Sequence, residues 1–587
     1  MEKTGRVVYY SVVRSVTNMK TNLMLPVGMD DFKKIRTGDF YYVDKTGLIE
    51  ELLESRGEVS LFTRPRRFGK SLNMSMLRHF FEIGTQKSLF DGLYISSRKV
   101  LCDKYMGKYP VISLTFKGIE EISFDEVLKR LCYVIGHEAD RFSFLENSER
   151  LSERDKSSYA ALVNMKNGVY VMERPVLISS LKTLSELLYK HYGQKVIILI
   201  DEYDVPLDKA FQRGYYDDMV TLMRGIFGEA LKTNEYLDFA ILTGCLRVSK
   251  ESIFTGINNF KVLSITDARF DEEFGFTESE VETLLSSFGL ESHMREMKEW
   301  YDGYRFGDAD VYCPWDVINH VERLLHESDA SPQSYWINSS GNSLVRRFID
   351  KADQSTRDEL EILLSGGTIE KEIHLELTYG ELDNTIDNLW SVLFTTGYLT
   401  LAEKPKNGVY TLRIPNEEIR EVYRTQIRQW FKSTVRSETK TLKPLWKALR
   451  EGDAEKIEEI VCDFLSRTIS VFDIKGPEKE KEKYYHVFLT GILLGNPDWG
   501  VSSQRESGDG LPDIIVRPQN PDEGIVIEIK SMDKVTQLER GAEEAIGQIY
   551  KYRYYEALLD DGRCDIWAYG IAFHKKRCFV RAEKLKF

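Results

Sequence analysis

The chain is poor in cysteine and has no long uninterrupted apolar segment. Its 587 residues include seven cysteines, which are widely scattered and form no CxxC pair. This spacing argues against a cysteine zinc site and against a disulfide framework, and it indicates a reducing cytoplasm. No stretch approaches the roughly 18 uncharged apolar residues of a membrane-spanning helix, so no membrane association is expected.

The first residues also lack the features of a secretory signal peptide. Segment 1–24 has neither a continuous apolar block nor a small-residue cleavage site, so it is predicted to be an N-terminal extension. The chain carries 93 acidic and 80 basic side chains, a formal net charge of −13. This excess weakens an interpretation as a protein that coats nucleic acid nonspecifically. An enzyme that acts on nucleic acid is not excluded, because a basic cleft can lie in an acidic chain.

The composition is otherwise typical of a folded protein with several domains. Apolar residues make up 42% and charged residues 29% of the chain, which excludes whole-chain disorder, collagen and a coiled-coil rod. Short apolar runs alternate with helical patterns over 28–275, which predicts βαβ units and a mostly parallel sheet. The predicted strands are 59–63, 110–115, 196–200, 239–243 and 261–265.

The pattern becomes helical after this region. Thr277 and Glu280 have the spacing of a capping box before an amphipathic helix at 281–288. The aromatic and glycine-rich segment 300–315 is predicted to be an ordered structural loop. Pro444 is expected at the first position of a later helix, where its missing N–H costs nothing.

The last part of the chain predicts a smaller α/β unit. Strands are expected at 513–516 and 525–529, and a strand or hairpin is expected after residue 565. Helices are expected at 482–494 and 542–558.

A phosphate-binding loop is predicted where the first strand passes into a helix. Gly69, Lys70 and Ser71 lie at the start of that helix, where free backbone N–H groups attract phosphate. Lys70 is expected to reach the β- and γ-phosphates, and the Ser71 hydroxyl is expected to ligate Mg²⁺.

Three arginines make this loop unusual. Arg66 and Arg67 precede the glycine and are candidates for nucleotide binding. Arg64 stands where the usual phosphate-binding loop has its first glycine, and a bulky residue there restricts the backbone.

Two later strands end in polar residues that suit the same site. Asp201 and Glu202 follow an apolar strand, so Asp201 is expected in the Mg²⁺ shell and Glu202 is expected to polarise the attacking water. The alternative is a strand that ends in a solvated acidic turn. Thr243 ends the next strand and is expected to orient the water, and Arg247 is expected to stabilise charge on the γ-phosphate. A surface arginine that caps a turn is nearly as good an interpretation of Arg247.

A second constellation lies near the carboxyl end. Asp513 and Glu528, with fourteen residues between them, form a PD…ExK pattern with Lys530. Side chains two apart on a strand share a face, so Glu528 and Lys530 are expected to lie together. The two carboxylates are then expected to bind Mg²⁺, and Lys530 to orient the attacking water. The alternative is a solvent-facing Glu/Lys pair, which the apolar neighbours of Glu528 disfavour.

Neighbouring helices supply further candidates. Glu482 is a candidate third metal ligand, and His486 follows four residues later, where packing is the simpler interpretation. Gln548 and Tyr552 are four apart on a predicted helix and are expected to share a face toward this site.

These motifs carry a resemblance to a known family. The chain resembles the bacterial AAA-ATPase-like family, a divergent branch of the P-loop ATPases, over about 25–320. The matching segments are 43–46 (VDKT), 63–71 (TRPRRFGKS), 199–206 (LIDEYDVP), 252–259 (SIFTGINN), 274–277 (FGFT) and 300–304 (WYDGY). The resemblance implies that the arginine-rich loop without the first glycine is the family's own form.

The carboxyl-terminal part is similar to the PD-(D/E)xK nuclease domain that commonly follows this ATPase-like domain. The matching residues are Glu482, Tyr485, His486, 505–510 (RESGDG), Asp513, Glu528, Lys530 and Gln548. The expected fold is therefore α/β, with a P-loop parallel sheet over 25–275, a helical lid or linker over 276–454, and a restriction-endonuclease-like α/β domain over 455–587.

The resemblance implies an ATPase and a metal-dependent nuclease in one bacterial chain. ATP and Mg²⁺, with Mn²⁺ as a substitute, are the expected cofactors, and nucleic acid, DNA before RNA, is the expected partner. Family analogy suggests defence or DNA repair. AAA-type ATPases often assemble, so a homo-oligomer stays open. The alternative function is a nucleotide-dependent switch whose nuclease-like domain only binds nucleic acid or a partner.

Overall fold

The computed structural model describes residues 23–55, 57–246, 260–336, 342–377, 381, 384–437, 439–467, 478–503, 507 and 510–586. Within these residues no helix is long and apolar enough to cross a membrane. Of the predicted N-terminal extension 1–24, only residues 23 and 24 are described. Arg247 and the segment 252–259 also lie outside the described residues.

The amino-terminal domain is built around a parallel sheet with helices on both faces. Its strands are β1 (Val59–Thr63), β2 (Val111–Thr115), β3 (Met165–Lys166), β4 (Val169–Tyr170), β5 (Val196–Asp201), β6 (Leu237–Gly244) and β7 (Phe260–Leu263). Its helices are α1 (Phe32–Thr37), α2 (Gly47–Ser55), α3 (Lys70–Phe81), α4 (Lys99–Tyr105), α5 (Phe124–Asp140), α6 (Glu153–Leu162), α7 (Arg174–Tyr192), α8 (Val205–Arg213) and α9 (Tyr216–Phe227).

Five of these strands form the sheet in the order β2-β5-β6-β1-β7, and every neighbouring pair is parallel. β1 and β5 are buried along their whole length, because α-helices cover both faces. Ile200 of β5 pairs with Leu242 of β6, so the next residues, Asp201 and Thr243, lie beside each other. Thr63 of β1 pairs with Gly244 of β6. The predicted strands and the parallel sheet are confirmed.

The middle region contains more strand than the sequence predicts. Its helices are α10 (Glu278–Phe288), α11 (Met294–Tyr301), α12 (Pro314–His326), α13 (Asn342–Lys351), α14 (Gln354–Leu364), α15 (Ile386–Thr395), α16 (Glu417–Ser437) and α17 (Thr439–Glu451). Its strands are β8 (Tyr304–Phe306), β9 (Ala309–Val311), β10 (Ile369–Glu372), β11 (Thr400–Leu401) and β12 (Val409–Arg413). The last three form a small antiparallel sheet in the order β10-β12-β11.

Several local predictions in this region can be checked directly. The capping box is confirmed, because Thr277 accepts from the Glu280 amide and Glu280 accepts from the Thr277 amide. The prediction of a structural loop at 300–315 is wrong, because β8 and β9 form a hairpin there between α11 and α12. Pro444 lies inside α17 and not at its first position.

The carboxyl-terminal domain has a mixed sheet in the order β13-β14-β15-β16-β17. Its helices are α18 (Ala454–Arg467), α19 (Glu478–Leu494), α20 (Leu538–Lys551) and α21 (Glu556–Asp560), and its strands are β13 (Gly500–Ser503), β14 (Ile514–Arg517), β15 (Glu523–Ser531), β16 (Asp565–His574) and β17 (Arg577–Lys584). Only β15 and β16 are parallel, and α20 crosses over between them.

Helices cover both faces of this second sheet. α20 packs so closely on β16 that a Cβ on Gly570 would overlap the carbonyl oxygen of Ala542. On the other face, the apolar side chains of α17, α18 and α19 share one core with the sheet. The Tyr569 hydroxyl donates to the Leu449 carbonyl at the end of α17 at 2.7 Å. α17 therefore packs with the carboxyl-terminal domain.

Candidate functional site

The phosphate loop lies between β1 and α3, at the carboxyl edge of the parallel sheet. Gly69 and Arg67 both have left-handed backbone conformations, with φ of +77° and +72°. A non-glycine residue in this region is strained, so Arg67 must be held by its surroundings. Lys70 and Ser71, which follow these two left-handed residues, line a cleft of about 400 Å³.

Ser71 and Asp201 meet at the back of this cleft. The Ser71 Oγ donates to Asp201 Oδ2 at 2.6 Å, and the Thr243 Oγ1 donates to Asp201 Oδ1 at 2.5 Å. Thr243 lies at the end of β6, the strand next to β5, and Ser71 follows β1, the strand beyond β6, so both hydroxyls reach the carboxylate at the end of β5. A hydroxyl beside a carboxylate is the oxygen set that a Mg²⁺ ion beside a nucleotide uses.

Lys70 is buried in the loop that it follows. Its Nζ donates to the carbonyl oxygens of Arg64 at 3.0 Å and Pro65 at 2.8 Å. Cys245 Sγ lies 3.7 Å away at the tip of β6. The ammonium group thus sits inside the curve of the loop.

Glu202 lines the same cleft as Lys70 and Ser71. Its backbone is left-handed, with φ of +54°, and its amide donates to Thr243 Oγ1 at 3.3 Å. Burial raises the pKa of the Glu202 carboxyl, while the charge of Lys70 lowers it. A raised pKa suits a group that takes a proton near neutral pH.

The three loop arginines do not share one environment. Arg64 is completely buried, and its guanidinium donates to the carbonyls of Thr63, Leu263 and Phe270 at 2.9–3.1 Å. Burial lowers the pKa of this guanidinium to about 10. Arg64 is therefore part of the core and does not face the cleft.

Arg66 and Arg67 both line the cleft. Burial lowers the pKa of Arg66, but the larger combined effect of Cys245, Asp208 and other neighbours raises it. Arg67 Nη1 donates to the Tyr335 carbonyl at 2.5 Å.

Asp204 is a buried residue that sequence reasoning did not single out. Its Oδ2 accepts from the amides of Cys245 and Leu246 at 2.8 and 3.0 Å, which holds the end of β6. Its position in the motif LIDEYDVP was the available signal. Arg247, the other nucleotide candidate, lies outside the described residues.

The other candidate site lies at one end of the carboxyl-terminal sheet. Ile514 pairs with Ile527 across β14 and β15, so Asp513 and Glu528 face each other one step further along. The Asp513 amide donates to Glu528 Oε2 at 3.3 Å, and Asp513 Oδ2 accepts from the Ile529 amide at 2.8 Å. The structure thus brings the two predicted carboxyls together.

Lys530 is next to this pair, because alternate side chains of β15 share a face. Its Nζ lies 3.6 Å from Glu528 Oε1. Burial, followed by the charge of Asp513, raises the pKa of Glu528 to about 8, while Lys530 lowers it. Burial likewise raises the pKa of Asp513. A divalent cation would relieve the repulsion between the buried carboxylate of Glu528 and the half-buried carboxylate of Asp513, so the residues fit one.

Glu482 and His486 both lie on α19, and each forms a hydrogen bond near the Asp513–Glu528 pair. Glu482 Oε1 accepts from the Ser531 amide at 3.4 Å. His486 Nε2 contacts the Asp513 carbonyl at 2.9 Å and the Ser503 hydroxyl at 2.8 Å. Among the described residues, no group of three or more His, Cys, Asp or Glu side chains converges to hold a metal ion, and Glu482 as a third ligand stays a prediction.

The shared face of Gln548 and Tyr552 stays a prediction. Tyr552 caps α20, and its amide donates to the Gln548 carbonyl at 3.1 Å. The Gln548 amide donates to the hydroxyl of Tyr554 at 3.1 Å, and the Tyr552 ring stacks on Tyr554. Arg553, with φ of +53°, turns the chain and makes this possible.

Tyr554 is thus the tyrosine that adjoins the site, which the helical spacing missed. Burial is the main cause that raises its pKa, and the charges of Glu528 and Asp513 add to it. The Ser507 hydroxyl donates to the Tyr554 carbonyl at 2.7 Å. Of the segment 505–510, only Ser507 and Gly510 are described, and they form a turn tied to Tyr554.

Comparison with known proteins agrees with this geometry. Residues 26–254 match the family described as "Predicted AAA-ATPase", and residues 480–583 match the PD-(D/E)XK nuclease superfamily. A relative from Azotobacter chroococcum mcd 1, described as an uncharacterized protein in the vnfD 5′ region, is 25% identical over 405 residues, which is 68% of each chain. The chain therefore carries an AAA-ATPase-like domain at 26–254 and a PD-(D/E)XK nuclease superfamily domain at 480–583.

Proposed function

We propose that the chain binds and hydrolyses ATP and cleaves nucleic acid, DNA before RNA, with a divalent metal and under nucleotide control. The observation that carries the proposal is the cluster of Asp513, Glu528 and Lys530, in which the buried carboxyl of Glu528 faces the half-buried carboxyl of Asp513 beside one ammonium group. Burying such groups is costly unless a ligand compensates them.

Each residue of the cluster has a separate task in this proposal. Asp513 and Glu528 hold Mg²⁺ or Mn²⁺, which when bound supplies Lewis-acid activation of the phosphodiester. Lys530 orients the attacking water and stabilises the charge that develops on the phosphate. Gln548 positions the Tyr554 hydroxyl at the side of the cluster.

In the amino-terminal domain, Lys70 contacts the β- and γ-phosphates of ATP. Ser71 and Asp201 hold the nucleotide-bound Mg²⁺, and Glu202 polarises the attacking water, which Thr243 helps to orient. Arg66 and Arg67 add positive charge at the mouth of the cleft. The hydrogen bonds of Ser71 and Thr243 to Asp201 support these assignments.

The decisive experiment uses the purified full chain and labelled single-stranded DNA, double-stranded DNA and RNA. Each substrate is incubated with and without ATP, Mg²⁺ and Mn²⁺. Glu528→Gln is the test variant, and Glu523→Gln is the matched control, because Glu523 lies on the same strand but pairs with Arg450. Metal-dependent cleavage by the wild type and the control, lost in Glu528→Gln, supports the proposal. No cleavage under any condition, together with nucleotide-dependent binding, would instead support the switch without nuclease activity.

A further inference from the structure

The guanidinium of Arg67 has an unusual neutral partner. It donates to the Tyr335 carbonyl at 2.5 Å and lies 5.0 Å above the ring of Trp315. Arg67 forms no ion pair with another described residue, although it lines the cleft that contains Lys70. A fixed positive charge therefore rests on a carbonyl next to the predicted phosphate position.

The backbone amides of the segment that supplies this carbonyl are hydrogen-bonded to Glu418. One carboxyl oxygen of Glu418, Oε1, accepts from the amides of Tyr335 at 2.5 Å and Trp336 at 2.9 Å. The Trp336 indole donates to Asp316 Oδ2 at 3.0 Å. Tyr335 is thus tied to Arg67 through its carbonyl and to Glu418 through its amide.

Asp316 and Glu418 are both completely buried. Burial raises the pKa of each carboxyl, and in Glu418 the neighbouring Asp316 raises it further. Two such carboxyls are stable together when they share a proton. The pair forms a rigid polar anchor for Tyr335 and Trp336.

Glu418 is the second residue of α16, so the anchor belongs to a helix far from the phosphate loop in sequence. α16 packs against α11, α13 and α19. α19 carries His486, whose Nε2 contacts the Asp513 carbonyl at 2.9 Å.

We propose that Glu418 is a positioning residue for the phosphate loop, holding Arg67 away from phosphate through Tyr335 until nucleotide binds. The inference rests on the proposed nucleotide site. A hydrogen bond from arginine to phosphate is charge-assisted and stronger than one to a neutral carbonyl. Bound nucleotide therefore draws Arg67 from Tyr335, and the loss of this contact loosens the segment 335–336 on α16.

Hydrogen–deuterium exchange of the full chain tests the anchor without nucleotide. The amides of Tyr335 and Trp336 are bonded to Glu418, so Glu418→Ala should speed their exchange by about tenfold. Glu418→Gln keeps an acceptor and should change less. Glu421→Ala, on the same helix but paired with Arg424, is the matched control. Unchanged exchange at Tyr335 and Trp336 in Glu418→Ala overturns the proposal.

Calorimetry with a non-hydrolysable ATP analogue and Mg²⁺ supplies the readout that a structural role would not move. Freeing Arg67 by Glu418→Ala should tighten binding of the analogue, whereas general damage to the fold would weaken it. In the wild type the analogue should speed exchange at Tyr335 and Trp336. In Arg67→Gln that response should be absent. If Glu418→Ala does not fold, the exchange response to the analogue in the wild type, and its absence in Arg67→Gln, still test the proposal.

The outcomes separate this inference from the proposed function. An analogue that binds the wild type without changing exchange at Tyr335 and Trp336 overturns the role of Glu418 and leaves the ATP site intact. Weaker binding by a folded Glu418→Ala also overturns it. If the wild type binds no nucleotide, the proposed ATP site is wrong, and the inference is overturned together with it.

Discussion

The hydroxyl of Ser71 lies 2.6 Å from Oδ2 of Asp201, although 130 residues separate them in the chain. The sheet order creates this contact, because β5 and β1 end at the same edge with only β6 between them. Thr243, at the end of β6, bonds to the other oxygen of Asp201. The polar groups proposed to surround Mg²⁺ are thus already in mutual contact.

Replacing Lys70 by alanine should weaken ATP binding. The variant removes the ammonium group that sits inside the loop, and loss of a charged hydrogen bond costs about 1.5–3 kcal/mol. Calorimetry with ATP and Mg²⁺ measures the change, and Lys87→Ala, an exposed lysine, is the control. An affinity equal to that of the wild type would refute the phosphate-loop assignment.

Glu202→Gln should separate ATP binding from ATP hydrolysis. The amide keeps the size of the side chain but cannot take a proton, while Asp201 and its two hydroxyl partners are unchanged. We expect near-normal affinity and a fall in phosphate release of about a hundredfold or more, as for loss of a general base. Undiminished release would show that another group activates the water.

The three residues of the carboxyl-terminal cluster should differ in their effects. Asp513→Ala and Glu528→Ala should abolish both metal binding and cleavage, because each removes a ligand oxygen. Lys530→Ala should abolish cleavage but leave metal binding largely intact. Mn²⁺ should partly restore Asp513→Asn, since Mn²⁺ accepts mixed ligands better than Mg²⁺ does. Metal titration and plasmid nicking check these results, and equal metal affinity in wild type and Glu528→Ala would exclude the assignment.

Arg64→Ala should destabilise the amino-terminal domain. The change leaves three buried carbonyls without their donor and opens a cavity beside Phe274 and Phe306. We expect a loss of roughly 3 kcal/mol or more in the free energy of unfolding. Denaturant unfolding of the full chain measures it. A loss below about 1 kcal/mol would mean that water replaces the guanidinium.

The Asp316–Glu418 pair should make stability depend on pH. A carboxyl with a raised folded-state pKa favours the folded protein at low pH, and this contribution is lost as pH rises above its unfolded value of about 4.3 toward the folded pKa. Arg67, Tyr335 and Cys313 also face the pair, and only Arg67 is positively charged.

Glu418→Gln removes one of the two titrating groups. Its melting temperature should therefore fall less than that of the wild type between pH 5 and pH 9. Thermal unfolding at several pH values checks the prediction. Parallel curves for the two proteins would show that Glu418 ionises normally.

Much of the parallel sheet was predictable, because its strands are buried on both faces and therefore appear as continuous apolar runs. The residues at the ends of β1 and β5 could be assigned for the same reason. The PD…ExK spacing placed Asp513 opposite Glu528 because a short connection between paired strands leaves little choice of register.

The tertiary partners of the arginines and tyrosines could not be predicted. The Arg64 side chain enters the core because it bonds to carbonyls about 200 residues later in the chain, whereas the Arg67 side chain lines the cleft. Tyr554 was missed because Arg553, in a left-handed conformation after the end of α20, turns the chain and brings Tyr554 to Gln548. Periodicity assumes that a helix continues, so it cannot detect such an ending.

The buried guanidinium of Arg64 also constrains how this loop can evolve. A single change to glycine, the residue of the usual phosphate loop, would leave the carbonyls of Thr63, Leu263 and Phe270 unpaired inside the core. The surrounding segment would have to be rebuilt at the same time. A glycine at position 64 is therefore compatible with this fold only together with further substitutions that supply new donors to these carbonyls.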